Sequence, residues 1–460
     1  MGKKPSIAIV GAGLTGLSAA YFLEREGGSA TVFEASDRVG GAITTRRSGD
    51  YLYELGPSTL LRGSSVLEEI LRDLSLESSL AMPGPEARCR YVVRKGKPVA
   101  LPSSPFSFPF SPWLSARGKL RLLTEPFRRR GKHRETESVA EFTRRRLGPE
   151  VLDYGVSPVV GGIYAGDPRN LSLRLAFPRL YLAEEKGGSL MRGFWRLMRE
   201  QKKARGDAPR PPRGTISFRD GLDTLPKALA SSLQSSLRLG TRMEKLQKDA
   251  SGGWRISWVS SDGKERGEEV FDRVLLTSWT PELAGAVPPP PGRPDWPEVT
   301  YAPVQVVTLA FPQQAGQHPL DGFGVLVPEK EKLPFLGVIF ASSLFAGRAP
   351  GNQVLVNLFL GGQRSPEAAA YGEEDLRAKV FPALDQLLGL RGEPLFMDRR
   401  AWPRAIPQYT NEHATFLEAR KQWEAENAGL HLAGTAVDGI SMPQCLESGR
   451  RIVREKLSKA

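Results

Sequence analysis

Three glycines, Gly11, Gly13 and Gly16, follow directly on a four-residue apolar run, IAIV at 7–10. The spacing is G-x-G-x-x-G. The first glycine permits a tight turn, the second lets backbone approach a pyrophosphate, and the third lets a helix pack closely on a strand. The helix that follows offers free N–H groups and the positive end of its dipole to phosphate. A second apolar run, ATVFE at 30–34, ends in Glu34, which lies 34 − 16 = 18 residues beyond the last glycine. That is close to the spacing of an acid that binds a ribose hydroxyl. Strand, glycine turn, helix and acid-tipped strand together point to a dinucleotide.

Which dinucleotide depends on the next stretch, EASDRVGGAITT at 34–45. Arg38 can support ribose and phosphate, and the paired Gly40 and Gly41 let a cofactor lie on bare backbone. Further on, ELGPSTLL at 54–61 carries a turn that Gly56 and Pro57 keep out of any helix, with the hydroxyls of Ser58 and Thr59 beside it. The four histidines, at 133, 318, 413 and 431, have no ligand spacing, and no metal is expected. Two cysteines, Cys89 and Cys445, exclude a disulfide framework and suit a reducing compartment.

The elements that must position these residues are those of an α/β chain. A length of 460 residues implies two or three domains. The start is a βαβ unit, with a helix running to about Arg25 and a parallel sheet implied. A short helix is expected over 64–76, and basic helices over 116–130 and 137–148. Helix resumes at LDTLPKALASSL after the Pro-rich break at 205–214. Strands are expected at 254–259, 270–277, 304–311, 322–327, 335–341 and 353–359, with a helix near 373–390. The N-terminus reads as the start of a strand, not as a signal peptide.

The net charge of +13 is concentrated. Residues 88–205 hold 26 Lys and Arg against 10 Asp and Glu, a balance of +16, so the remainder carries 13 − 16 = −3. Charge alone is compatible with nucleic acid, an anionic membrane, an acidic ligand or a solvated basic face.

The Glu34–Arg38–Gly40–Gly41 run resembles the flavin amine oxidase superfamily, which implies FAD. GVSPVVGGIYAGDPRNLSLRLAFPRL at 155–180, DGFGVLVP at 321–328, FLGG at 359–362, IPQYTNEH at 406–413 and LAGTAVDGISMPQCLESGR at 432–450 together resemble the oxygen-dependent protoporphyrinogen oxidases, in order and over nearly the whole chain. The resemblance implies an α/β and α+β architecture: a Rossmann-like FAD domain, a mixed-sheet substrate domain and a helical membrane-binding domain. The expected divisions are 1–87, 207–290 and 418–460 for FAD, 88–206 for the basic helical membrane and substrate region, and 291–417 for substrate. It implies six-electron oxidation of protoporphyrinogen IX in haem biosynthesis, with oxygen as acceptor and hydrogen peroxide as by-product. The chemistry would be the cofactor's own, with no side chain as catalyst.

Carried over residue by residue, the pyrophosphate contacts fall on Gly11, Ala12, Gly13, Leu14, Thr15 and Gly16, and the ribose acid on Glu34. The Arg38, Gly40, Gly41 and Ala42 segment belongs to the same cofactor site. The ring-side turn is Gly56, Pro57, Ser58 and Thr59. A backbone contact near the adenine falls on Met243, and the closing loop on Thr435, Ile440, Ser441 and Met442. The macrocycle would pack on Gly162, Phe323, Leu326 and Phe359, with a propionate on Arg88. Some relatives carry Arg where this chain has Ser58, Trp where it has Ala42, and Met where it has Phe359.

For the basic region, mixed with aromatics around 104–130, the resemblance favours peripheral contact with an anionic membrane over nucleic acid. It implies a cytoplasmic protein on the inner face of the cell membrane, handing product to the next enzyme of haem synthesis. A homodimer is compatible with it. The alternatives are coproporphyrinogen III oxidation, an amine oxidase (against which Thr435 stands where a glutamate is usual), a phytoene desaturase and an FAD-bound scaffold.

Overall fold

The computed structural model describes residues 4–104, 106–128, 135–206, 210–313 and 316–458. A five-stranded, wholly parallel sheet runs in the order Ser236–Arg238, Thr31–Phe33, Ile7–Val10, Arg273–Leu276, Leu430–Leu432. Its central strand is buried along its length, which is why it reads as an uninterrupted apolar run. Helix Leu14–Arg25 covers one face and packs against the C-terminal helix Met442–Ile452. The contact is close: a Cβ on Gly449 would lie 2.6 Å from the carbonyl oxygen of Thr15.

An antiparallel meander, Thr241–Lys248, Trp254–Ser260 and Arg266–Phe271, sits beside this sheet. The run expected as one strand over 270–277 is therefore two. Asp272 breaks it: its N–H and that of Arg273 both reach the Ser6 carbonyl, at 3.0 and 3.1 Å. The chain so passes from the meander, ending at Phe271, into the parallel sheet, beginning at Arg273.

The other large layer is a seven-stranded mixed sheet. Its order is Phe396–Pro407, Tyr301–Pro312, Gln353–Gly361, Gly337–Ile339, Gly324–Leu326, Tyr91–Arg94, Lys97–Ala100. Two parts were not anticipated. The hairpin Tyr91–Arg94/Lys97–Ala100 lies within the span read as basic and helical, yet joins this sheet through parallel pairing with Gly324–Leu326. The long strand Phe396–Pro407 forms the other edge.

The remainder of the basic span is helical, with Val139–Arg146, Ser157–Tyr164, Pro178–Gly187 and Leu190–Arg205. It has its own core, and a fully buried Arg146 lies between Glu125 and Glu184 at 3.0 and 3.1 Å. The helix expected over 116–130 is shorter, Ala116–Leu123, followed by a 3₁₀ turn at Glu125–Phe127. Pro126 explains the break. The Pro-rich segment falls partly on residues 207–209, outside the described residues.

Candidate active site: a glycine cradle facing a mixed sheet

The cradle is built by the first strand and helix. Gly11 has φ +107°, and a Cβ there would meet Thr277 Oγ1 at 2.6 Å, so both conformation and space require glycine. A Cβ on Gly16 would overlap the Gly11 carbonyl oxygen, which fixes helix against strand. Gly13 differs: nothing lies within 4 Å of where its Cβ would be. It is also the N-cap of helix Leu14–Arg25, with no side chain capping the helix. The open face above Gly13 and the uncapped N–H groups of Leu14, Thr15 and Gly16 are what a pyrophosphate fits. Glu34, half-buried, accepts from Ala12 N at 2.7 Å and from Ser36 N at 2.9 Å. These bonds aim its carboxylate across the glycine turn.

Arg38 spends its donors on backbone, reaching the carbonyls of Ile43 at 2.8 Å and Gly41 at 2.7 Å. It thus shapes the Gly40–Gly41 loop, whose Gly41 brings its missing side chain within 3.6 Å of Gly13 Cα. Ala42 lies behind the ring-side turn, since a Cβ on Gly56 would overlap the Ala42 carbonyl oxygen. The closing loop arrives from the opposite side. Ser441 caps helix Met442–Ile452 in a capping box with Gln444, and Ile440 leads into it. Thr435 and its neighbour Ala436 are pinned through their carbonyls, by the Tyr409 hydroxyl at 2.5 Å and the His413 Nε2 at 2.8 Å. The missing side chain of Gly434 would lie 3.7 Å from Thr15 Oγ1, so this loop and the glycine helix converge.

The mixed sheet docks on the turn at residues 54–59. One cross-strand row runs Leu326, Gly337, Phe359, Val306, Arg400. The next row on the same face runs Gly324, Ile339, Asn357, Thr308, Asp398. Asn357 Nδ2 donates to the Glu54 carbonyl and to Ser58 Oγ, both at 3.3 Å, while its Oδ1 accepts from Thr308 Oγ1 at 3.0 Å. Trp402 Nε1 donates to the Leu55 carbonyl at 2.7 Å, and Tyr53 donates to Asp398 at 2.8 Å. These bonds hold Gly56, Pro57, Ser58 and Thr59 against the face that carries Phe359 and Leu326. Serine at position 58 is small enough to take Asn357 as its partner.

Gly162, on helix Ser157–Tyr164, faces the same row: a Cβ there would sit 2.8 Å from Leu326 Cδ2. Leu326, Phe359 and Phe323 are all half-buried. Phe323 packs beside Ile339 and carries Arg90 over its ring, with Cζ 5.0 Å from the centroid. The side chain of Arg88 lies outside the described set; Arg90, two residues on and exposed, is an arginine found against this wall. Met243 sits apart from the other residues: its side chain is in the core under the parallel sheet, at a β-bulge between Met243 and Lys245. Sequence reasoning passed over Asn357, Trp402, Tyr409 and Arg90. Only IPQY, which holds Tyr409, had drawn notice.

The model of the flavin-containing amine oxidoreductase family matches residues 14–455. The chain belongs to this family. It is a flavin-dependent oxidoreductase, and its cofactor is FAD, which the open Gly13 cradle and aimed Glu34 fit. The mitochondrial protoporphyrinogen oxidase of Nicotiana tabacum is 34% identical over 96% of this chain and 93% of the tobacco chain. The coproporphyrinogen III oxidase of Staphylococcus aureus is 27% identical over 99% of each. In the crystal, a provisionally named protoporphyrinogen oxidase of Exiguobacterium has the same fold, with a TM-score of 0.78 and 24% identity over 99% of this chain and 98% of that one.

Proposed function

We propose that this chain oxidises protoporphyrinogen IX to protoporphyrin IX in haem biosynthesis, in three two-electron steps. Bound FAD supplies the electron acceptance, and oxygen reoxidises it with release of hydrogen peroxide. The chain's own residues bind and orient. Leu326 and Phe359 form an apolar wall, and the lack of a side chain at Gly162 keeps the exposed edge of that wall clear for a macrocycle. Arg90, over Phe323, is a cation placed to meet a propionate, and Arg88 is proposed for the same role. The turn at Gly56–Thr59 presents backbone and small hydroxyls to the wall, where larger groups would block approach.

The observation that carries this reading is full-length identity above 30% to protoporphyrinogen oxidases, joined to a face whose row of Leu326, Gly337 and Phe359 is apolar. Coproporphyrinogen III is the second reading, favoured by relatives 26–27% identical over 99% of the chain. The test supplies each porphyrinogen in air and follows porphyrin fluorescence against an enzyme-free control. Faster oxidation of protoporphyrinogen IX supports the first reading, and preference for coproporphyrinogen III replaces it with the second.

The cofactor set proposed is Gly11–Gly16, Glu34, Arg38, Gly40–Ala42, Gly56–Thr59, the Met243 backbone, Thr435 and Ile440–Met442. The division into FAD segments 1–87, 207–290 and 418–460, a basic helical region 88–206 and a substrate region 291–417 belongs to the same proposal. Peripheral contact with an anionic membrane on the cytoplasmic face rests on exposed aromatics in the basic span, with Phe106, Phe110 and Phe127 at 89, 87 and 85% exposure. No helix among the described residues is long and apolar enough to cross a membrane. Transfer of product to the next enzyme, and a homodimer, complete the proposal.

A further inference from the structure

Behind the turn at Ser58 lies a small cavity of about 10 Å³. That is about the space one water molecule requires. Its polar walls are Glu54, Ser58, Arg348 and Asn357, and Ile339 and Leu344 are among the apolar ones. Glu54 and Arg348 are each only 4% exposed. Arg348 donates from Nη2 to Ser217 Oγ at 2.8 Å and to the Phe218 carbonyl at 3.0 Å, while its Nη1 has no partner. Glu54 accepts from Leu222 N at 2.8 Å and Thr45 Oγ1 at 2.7 Å, and makes no direct ion pair with Arg348. A buried carboxylate and a buried guanidinium thus line one cavity without touching, with a hydroxyl from the candidate ring-side turn in its wall. Nothing in the binding scheme above uses either charge. An unsatisfied buried donor is costly, and a polar cavity of this size is where a water satisfies it.

We propose that this cavity binds a single water, held by Arg348 Nη1 and bridging the Glu54 carboxylate to the Ser58 hydroxyl, and that Ser58, the water and Glu54 form the proton outlet of the oxidation site. The outlet role rests on the function proposed above. In each two-electron step a meso C–H electron pair leaves with its hydrogen for the bound cofactor and one proton is released, from an N–H bond in two of the steps and from the fourth meso carbon in the other. That proton passes to Ser58 Oγ as Ser58 gives its own proton to the water, and the water gives one to Glu54. For each proton the net change is one substrate N–H or meso C–H bond lost and one Glu54 O–H bond formed. Glu54 returns the proton outward through the half-buried Thr45 hydroxyl before the next step.

The charge environment suits the task. Burial raises the Glu54 carboxyl to about 7, against the hydrogen bonds from Thr45 and Leu222 and the Arg348 charge, which lower it, and with Asp223 raising it further. A group that changes protonation near neutrality both takes up and releases protons there. Arg348 keeps its charge while facing the same cavity, so it orients the water without exchanging a proton.

The experiment uses purified protein with FAD bound, mixed anaerobically with protoporphyrinogen IX, with bleaching of the flavin followed from pH 5.5 to 8.5. In the wild type the rate rises as Glu54 ionises, through about pH 7. Glu54→Gln and the milder Ser58→Ala keep FAD, lose this rise and slow bleaching on the order of 10²-fold. An unchanged pH profile in a Glu54→Gln protein that retains FAD overturns the outlet. A second readout needs no substrate. In the resting protein, a carboxyl infrared band absent from Glu54→Gln should titrate near neutrality and shift in Ser58→Ala and Arg348→Met. A band indifferent to both substitutions overturns the water site. Failure of the wild type to bleach with any porphyrinogen refutes the proposed substrate and the outlet together, while the infrared result still decides the water.

Discussion

Gly162 stands directly against the end of the Leu326 side chain: a Cβ on Gly162 would lie 2.8 Å from Leu326 Cδ2, so any side chain there must displace it. One residue belongs to a helix of the basic span and the other to the mixed sheet. Gly162 is itself exposed, so the approach occurs at an open edge and not inside a core. Gly162→Leu should therefore abolish turnover while the protein keeps bound FAD. Gly162→Ala should be impaired less, and adding Leu326→Ala should restore part of its rate. Turnover and flavin content measured on the three variants check this; full activity in Gly162→Leu would remove the macrocycle from this edge.

Gly13 and Gly16 should respond oppositely to the same methyl group. Gly16→Ala drives a Cβ into the Gly11 carbonyl oxygen, and overpacking of this kind costs about 1–3 kcal/mol or more. Gly13→Ala meets nothing, so the cofactor-free protein should unfold within about 0.5 kcal/mol of wild type. Its FAD affinity should nevertheless fall, because the methyl occupies the cradle. Denaturant unfolding without FAD, followed by FAD titration, separates the two effects. Unchanged affinity in Gly13→Ala would move the pyrophosphate elsewhere.

Acid stability should be governed by buried histidines working against a buried glutamate. Burial lowers His413 and His431 from 6.5 to about 4, the second helped by Lys456, Arg273 and Arg420. Between those values the unfolded chain holds more protons, so stability present above pH 6.5 is lost as pH falls towards 4. Glu54 has the opposite sign: raised from 4.5 to about 7, it favours the folded state at low pH and loses that contribution as pH rises through the window. Each group is worth about 3 kcal/mol at most over its window. Two histidines outweigh one carboxyl, so thermal stability should fall from pH 7 to 4.5. Glu54→Gln should steepen that fall and His413→Gln should flatten it. Thermal melts across the range test both signs, and slopes altered in the same direction would contradict the assignment.

Phe106 and Phe110 are almost fully exposed just ahead of a basic helix, Ala116–Leu123, that carries Arg117 and Lys119. Burying a phenylalanine in a lipid interface contributes about 1.5–3 kcal/mol, and each nearby Lys or Arg about 1 kcal/mol on an anionic surface. Replacing both phenylalanines with serine should weaken co-sedimentation with phosphatidylserine vesicles at least tenfold and leave assays with detergent-dispersed substrate unchanged. Vesicle binding indifferent to the change and to salt would rule out this surface.

The glycine cradle was legible in the sequence because every feature it needs is local: Gly11 to Glu34 span one βαβ unit. The mixed sheet was legible only in part. Strand Phe396–Pro407 has no clean alternation to read, because Asp398, Arg399 and Arg400 are consecutive and Pro403 interrupts the run. An edge strand tolerates both, and the pairing irregularity opposite Ala302 and Val304 falls beside that proline. The hairpin at Tyr91–Ala100 turns at Lys95 and Gly96, both with positive φ, a signal masked by the surrounding basic residues. What joins the two layers could not be read at all. Asn357 and Ser58 are 299 residues apart, and no local pattern announces that an asparagine in a strand will hold a distant turn.

In the proposed reaction the wall facing the Ser58 turn holds a porphyrinogen for oxidation by bound FAD. The most direct measurement adds protoporphyrinogen IX without oxygen to the purified yellow protein, records the flavin spectrum, then admits oxygen and counts products. A porphyrinogen oxidase of this kind bleaches on addition and forms three hydrogen peroxide molecules for each protoporphyrin IX made in air. A flavin that stays oxidised in the presence of protoporphyrinogen IX and coproporphyrinogen III alike would contradict the proposed reaction.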